Sequence, residues 1–458
     1  MTEIATTSAP NGLPIHRVSV PGTRALTTLV AFDAGARSEQ PAENGVAHFL
    51  EHLAFKGGER YATYRDVNET AERMGATINA YTSHDLVAFH ITSRAQAAPQ
   101  AIDLISDITA RPRLDGDELE RERGVVIQEI ARADDQPAMV AAHLIDRAAF
   151  GDHPLGRPVL GPAEHLRAFT REEIVAFRDR RWAPSAGAAF LVGNTDHLPA
   201  PEELAELFGR FPRQPAPAAV EPAPPFRPAV LVAERETNQS HLRMVYRPAI
   251  DTADRRQRAA LAIYSTLLGG SMGSRLFDEI REQRGLCYSV WSHDHSFSDT
   301  PVLSLGAGLD SSKCLEAYAR MREIVDELRR DGPRAEEVER ARAYAAGRLV
   351  LAFENSGAVA RLAAQQAIVH GDDIDPDAAI AAIDAVTLDE VAQVARGISE
   401  SVAVACVGPH ATTDFCGRRS SLRGRSRSSA RSPGARRRQR PHPPTPRGPR
   451  RAGRHAAW

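Results

Sequence analysis

Two short runs rich in β-branched and aliphatic residues open the chain, one carrying Ile15, Val18 and Val20 and the next spanning residues 27–32, and they predict two strands joined through Pro21-Gly22. Helix punctuation follows. Asn44 is placed to cap a helix that Gly57-Gly58 stops, Thr63 to cap one running to Met74 that Gly75 ends, and Asp115 to cap a longer one holding Glu122 and Glu129. Residues 76–81 and 86–92 predict a hairpin around 83–85, a helix is predicted over 96–109, and helix 171–180 with strand 188–193 closes this block.

Residues 213–228 are rich in proline and alanine, the composition of a semi-rigid spacer, which places a domain boundary there. Beyond it the order of elements recurs: strands near 229–234 and 241–247, helices over 254–268 and 273–283, strands around 286–297 and 302–308, then helices and a last strand over 401–408. Residues 118–123 (ELERER) align with 337–342 (EVERAR), an offset that sets Glu122 against Ala341 and Glu129 against Arg348. The expected organisation is a domain over 1–212, a linker over 213–228, a duplicate over 229–416 and a tail over 417–458. Antiparallel strands mixed with packed helices make the class α+β.

Composition narrows the options. With 42% hydrophobic and 25% charged residues the chain reads as globular, and it has no apolar run of membrane-spanning length. Residues 1–11 show neither a secretory nor a transit pattern, so the expected compartment is the cytoplasm. The net charge of −2 hides an asymmetry, because residues 417–458 hold 14 arginines and no acid, leaving −16 on residues 1–416. That tail is expected to be disordered, as either a frame-shifted end or a segment that binds nucleic acid or another polyanion. Cys287, Cys314, Cys406 and Cys416 are scattered without a Cys-x-x-Cys pair, which argues against a disulfide framework and a cysteine zinc site.

The chemistry concentrates in His48-Phe49-Leu50-Glu51-His52. On a helix the imidazoles at i and i+4 and the carboxylate at i+3 share a face, which supplies two zinc ligands and a base beside the metal's open position. The best candidate for the third ligand is Glu129, with Glu122 two turns earlier either orienting a histidine or standing as a solvated helix residue.

His-x-x-Glu-His, extended through Lys56-Gly57, then Ile78-Asn79-Ala80-Tyr81-Thr82, then residues 120–129 (ERERGVVIQE), resembles the pitrilysin family of inverted-motif zinc peptidases. The likeness is to the branch of the mitochondrial processing peptidase β subunit and its bacterial homologues, and it covers about residues 14–410. It implies one zinc per chain, a peptide or unfolded-protein substrate, and half of a clamshell chamber completed by a homodimer or by a heterodimer with a related subunit. It also implies that Asn79, Ala80, Tyr81 and Thr82 form an edge strand for substrate, though the residues alone fit an ordinary hairpin strand. Arg281 and Tyr288 match the family's arginine and tyrosine at a separation of seven, although Arg281 alone reads equally as an exposed helix residue. Because the family also contains members that keep the fold and lose the site, the alternative to a zinc endopeptidase is a non-catalytic core or partner subunit.

Overall fold

The computed structural model describes residues 3–416, so the basic tail lies outside the described residues. Two sheets organise these residues. The first is built from β1 (Glu3–Ser8), β2 (Pro14–Ser19), β3 (Ala25–Phe32), β4 (Thr77–Thr82), β5 (Val87–Arg94) and β6 (Gly187–Gly193), in the order β1-β2-β6-β3-β5-β4. The second contains β7 (Val230–Glu234), β8 (Gln239–Tyr246), β9 (Cys287–Ser296), β10 (Pro301–Asp310) and β11 (Ala403–Gly408), in the order β7-β11-β8-β10-β9. In the first sheet β6 pairs parallel with β2 and antiparallel with β3, in the second β11 pairs parallel with β7 and antiparallel with β8, and the remaining pairs are antiparallel. Apart from β1, the two sheets therefore share one topology, and the class is α+β as expected.

The helices that matter for the site are α1 (Val46–Ala54), α2 (Tyr64–Arg73), α3 (Ala98–Ala110), α4 (Gly116–Asp135) and α5 (Pro137–Phe150). Their counterparts and neighbours in the second half are α6 (Arg255–Ser265), α7 (Cys314–Asp331), α8 (Ala335–Phe353) and α9 (Ser356–Ala364). Sequence punctuation located several of these ends. Thr63 accepts from Asp66 N in a reciprocal capping box, Asp115 accepts from Asp117 N, and Gly75 sits at φ 62° beyond α2, a conformation that carries little strain only without a Cβ.

Asn44 does not cap α1. The N-cap is Gly45 at φ 102°, where a Cβ would stand 2.8 Å from Leu160 O, while Asn44 Nδ2 donates to Glu39 and to Pro158 O. Glu39 serves instead: its buried carboxylate accepts from Gly45 N at 3.0 Å and Ala47 N at 2.8 Å, satisfying two of the donors a helix start leaves open. The two helices expected over 254–268 and 273–283 also differ in form. The first ends at Ser265 and runs on into a π-helical turn over Thr266–Gly270, and the second is π-helical over Phe277–Glu282.

One face of the first sheet, with Leu26, Val30 and Phe32 of β3, packs on Phe49, Leu50 and Leu53 of α1 and on Ile102 and Ile105 of α3. Alternate residues point to the other face, where Leu29, Ala31, Phe190 and Val192 meet Val359, Ala360 and Ala363 of α9, a helix from the second half. The reverse also holds. Ile145, Ala148 and Phe150 of α5, from the first half, cover Val245, Val302, Ala403 and Ala405 of the second sheet. Pro137 and Ser356, the first residues of α5 and α9, lie 219 positions apart, as do Gly116 and Ala335, which begin α4 and α8. Each copy of the duplicated unit thus lends the same helix to the other copy's sheet. Burying each large aliphatic side chain in these seams contributes roughly 1.5–3 kcal/mol, so the halves stabilise one another. Arg37, fully buried, adds a polar tie by donating to Asp299 at 2.7 Å, Ser298 Oγ at 2.9 Å and Glu221 O at 2.8 Å.

Candidate metal centre

On α1 the apolar residues Phe49, Leu50 and Leu53 anchor the helix to the core, which turns His48 and His52 together toward α4. Their rings stand 4.6 Å apart at 63°. Glu129 reaches across from α4, its Oε2 lying 3.8 Å from His48 Nε2 and 3.5 Å from His52 Nε2, and all three donor atoms fall within 4.8 Å of one another. Zinc bonds of 2.0–2.1 Å in a tetrahedron place ligand atoms about 3.4 Å apart, so this donor set fits the ion with small adjustments.

Glu122, the one buried acid of α4, accepts from His52 Nδ1 at 2.9 Å through Oε1 and is paired with Lys56 through Oε2. A hydrogen bond of this kind fixes the imidazole's tautomer and leaves Nε2 free to ligate. His48 Nδ1 is buried and has no hydrogen-bond partner among the described residues. Burial, followed by the neighbouring His52, pushes the His48 imidazole down to about 3, which keeps it in the neutral form that binds metal. For His52 burial acts the same way, but the Glu122 carboxylate outweighs it and the net direction is upward. Burial also opposes the charge on Glu122, yet donors His52 and Lys56 win and hold its carboxyl below the usual range.

Glu51 lies beside this cluster, buried except for a narrow face, and its Oε2 accepts from Thr82 Oγ1 at 2.5 Å. Burial raises its affinity for a proton, and the Thr82 hydrogen bond partly offsets that. A carboxylate so placed is a stronger base than an exposed one. Thr82 ends β4, the outermost strand of the first sheet, so the segment Asn79-Ala80-Tyr81-Thr82 has β5 on one side and, among the described residues, no strand on the other.

Arg281 and Tyr288 are brought together, the guanidinium lying 5.5 Å from the Tyr288 ring centre and 4.6 Å from that of Phe277. Tyr288 is 84% exposed on β9, the edge strand that corresponds to β4. Neither side chain has a hydrogen bond, ion pair or ring contact with the His48 cluster among the described residues. Two supports of the site escaped sequence reasoning. Lys56 stands four positions after His52 and could have been found by helical spacing, whereas Glu39 precedes α1 in a loop and gave no signal.

Residues 17–163 match the family model described as Insulinase (Peptidase family M16), and residues 168–344 match the Peptidase M16 inactive domain. A relative from Streptomyces coelicolor, named as an uncharacterized zinc protease, is 31% identical over 411 residues, covering 88% of this chain and 89% of its own length. Among solved structures, the peptidase M16 inactive domain from Pseudomonas fluorescens has a TM-score of 0.82 at 19% identity and is covered over 99% of its length, against 89% of this chain. A protease from Helicobacter pylori has a TM-score of 0.79 at 20% identity, covering 89% of this chain and all of that one. No helix among the described residues is long and apolar enough to cross a membrane.

Proposed function

We propose that this chain, which belongs to peptidase family M16, is a zinc-dependent endopeptidase that hydrolyses extended peptides or unfolded protein segments inside a closed chamber. The observation that carries this reading is the Glu51 carboxylate, held by Thr82 of an edge strand against a cluster of His48, His52 and Glu129. Those three residues would hold one zinc ion, with Glu122 orienting His52. Zinc bound there supplies Lewis acidity toward the scissile carbonyl and makes the attacking water acidic enough to ionise near neutral pH. Glu51 takes the proton from that water and returns it to the leaving amine.

The free edge of β4 offers main-chain donors and acceptors to an extended substrate, which would add as a further strand along residues 79–82. Thr82 then links substrate binding to the base, since one short segment carries both the edge and the donor to Glu51. Arg281 and Tyr288 would reach the substrate main chain or the developing oxyanion once the chamber is closed, a setting in which such donors are most effective. A second chain, identical or related, would complete the chamber, and the cytoplasm is the compartment this reading expects.

The test is cleavage of an unfolded protein by the purified chain, alone and mixed with candidate partner subunits. Cleavage abolished by a chelator and restored by zinc is the expected result. No cleavage in any mixture by zinc-loaded protein would overturn the reading.

A further inference from the structure

Away from the His48 cluster, the second half gathers two thiols and an imidazole from three separate segments. Cys314 is the first residue of α7, Cys406 lies in the middle of β11, and His410 follows that strand. One donor atom from each falls within 4.8 Å of the other two. The cysteines have no solvent exposure and His410 has 8%. Because the cysteines are 92 positions apart, no local spacing signal marks them, which is why the sequence argued against a cysteine metal site.

A chain of hydrogen bonds fixes the imidazole. Ser311 Oγ donates to Thr237 O at 2.9 Å, and Ser240 Oγ donates to Ser311 Oγ at 3.0 Å. A serine hydroxyl has one proton, so Ser240 Oγ must accept in its remaining contact, from His410 Nε2 at 2.8 Å. The imidazole therefore carries its hydrogen on Nε2 and its lone pair on Nδ1. Ligating histidines are oriented in this way, by a hydrogen bond from the nitrogen that does not bind the metal.

We propose that Cys314, Cys406 and His410 bind a second zinc ion, buried in the second half and independent of the peptidase site. Binding forms two zinc–sulfur bonds and one zinc–nitrogen bond, and each thiol releases its proton to solvent, so no oxidant or reductant is involved. Two thiolates and a neutral imidazole around a divalent ion carry no net charge. That matters here because both cysteines sit in the apolar core of the second half, beside residues such as Ala317, Tyr318 and Phe415. Three protein donors leave the fourth tetrahedral position for water. The ion would pin the start of α7 to the central strand β11 and to the segment that leaves it, fastening the end of the second half to its sheet.

The experiment counts zinc in the full-length protein after exhaustive dialysis and then replaces it with cobalt. Two zinc ions per wild-type chain are expected, together with the near-ultraviolet charge-transfer band of cobalt bound to thiolate. The same band and one metal ion should remain in His48→Ala/His52→Ala, which has no sulfur in the site it loses. Cys314→Ala/Cys406→Ala should lose the band and one ion while retaining chelator-sensitive peptidase activity. A single zinc per wild-type chain, the absence of the sulfur–cobalt band, or an intact mass showing a Cys314–Cys406 disulfide would each overturn the proposal. The wild-type measurements decide the matter even if the cysteine variant fails to fold.

Discussion

Helices α4 and α8 begin 219 residues apart, occupy equivalent places in two copies of one unit and differ in what their charges do. On α4 the acids Glu122 and Glu129 turn toward His48 and His52 of α1. On α8 the corresponding residues are Ala341, buried in the core, and Arg348, while α6 in the second half contains no histidine. The acid that α8 does bury is Glu337, the counterpart of Glu118. It accepts from Arg275 Nε at 2.9 Å and Nη2 at 2.8 Å, and from Arg334 at 2.8 Å. One helix thus turns a buried and a half-exposed acid toward two histidines, and the other buries its acid in an ion pair that fastens α8 to the segment before the Phe277–Glu282 turn. The scaffold tolerates either use, because the sheet topology and the exchanged helices α5 and α9 depend on neither.

Four substitutions sharpen that contrast. The largest effect is expected at α4, where Glu129→Ala should remove tight zinc binding and activity together, while Glu122→Ala should weaken metal affinity or activity by only about 10–100-fold, the usual cost of losing a group that orients a ligand. Zinc titration of the two variants compares them, and an equal or larger loss at Glu122 would show that the wrong acid has been assigned to the metal. Next comes the second half's share of the chemistry. Tyr288→Phe should lower kcat/KM by roughly 10²–10³ with zinc content and folding unchanged, since removing one donor to an oxyanion typically costs ~2.7–4 kcal/mol. Wild-type kinetics from this variant would reduce the second half to a structural partner.

The smallest effect on catalysis and the clearest on stability is expected at α8. Burial works against the charge of Glu337, but Arg275 and Arg334 overcome it and draw the carboxyl down to about 2. A depressed pKa stabilises the folded state fully above the ordinary value near 4.5, and that contribution fades as pH falls toward 2. Glu337→Gln should therefore cost about 3 kcal/mol at neutral pH, the low end for breaking a buried ion pair, and flatten the loss of stability between pH 4.5 and 2. Zinc binding should not change. Denaturant titrations across that range, with zinc counted alongside, would detect a contrary outcome.

What the sequence revealed follows from the range of the forces involved. The histidine helix, the β4–β5 hairpin and the Thr63 and Asp115 caps are set by neighbours within a few positions, so they were legible. β1 was not, because residues 3–8 hold only Ile4 and Ala5 as apolar residues and become a strand by pairing with β2. The exchange of α5 and α9 was hidden for the same reason, since an amphipathic helix does not state whose sheet it covers. Asn44 misled because a good capping residue can be diverted by a stronger acceptor, here Glu39. At the site, helical spacing located His48, Glu51, His52, Glu122 and Glu129, while Glu39 and the Cys314–Cys406–His410 group required the fold.

The central claim is that Glu51 acts as a base and not as a ligand, and Glu51→Gln separates the two roles with little change in shape. Zinc stoichiometry and peptide cleavage measured on one preparation of this variant give the most direct test. The account predicts zinc in the His48 site at the wild-type level and cleavage lowered by about 10²–10⁴-fold, the usual contribution of a general base, or more. Cleavage near the wild-type rate would contradict it, and loss of the metal would instead place Glu51 among the ligands.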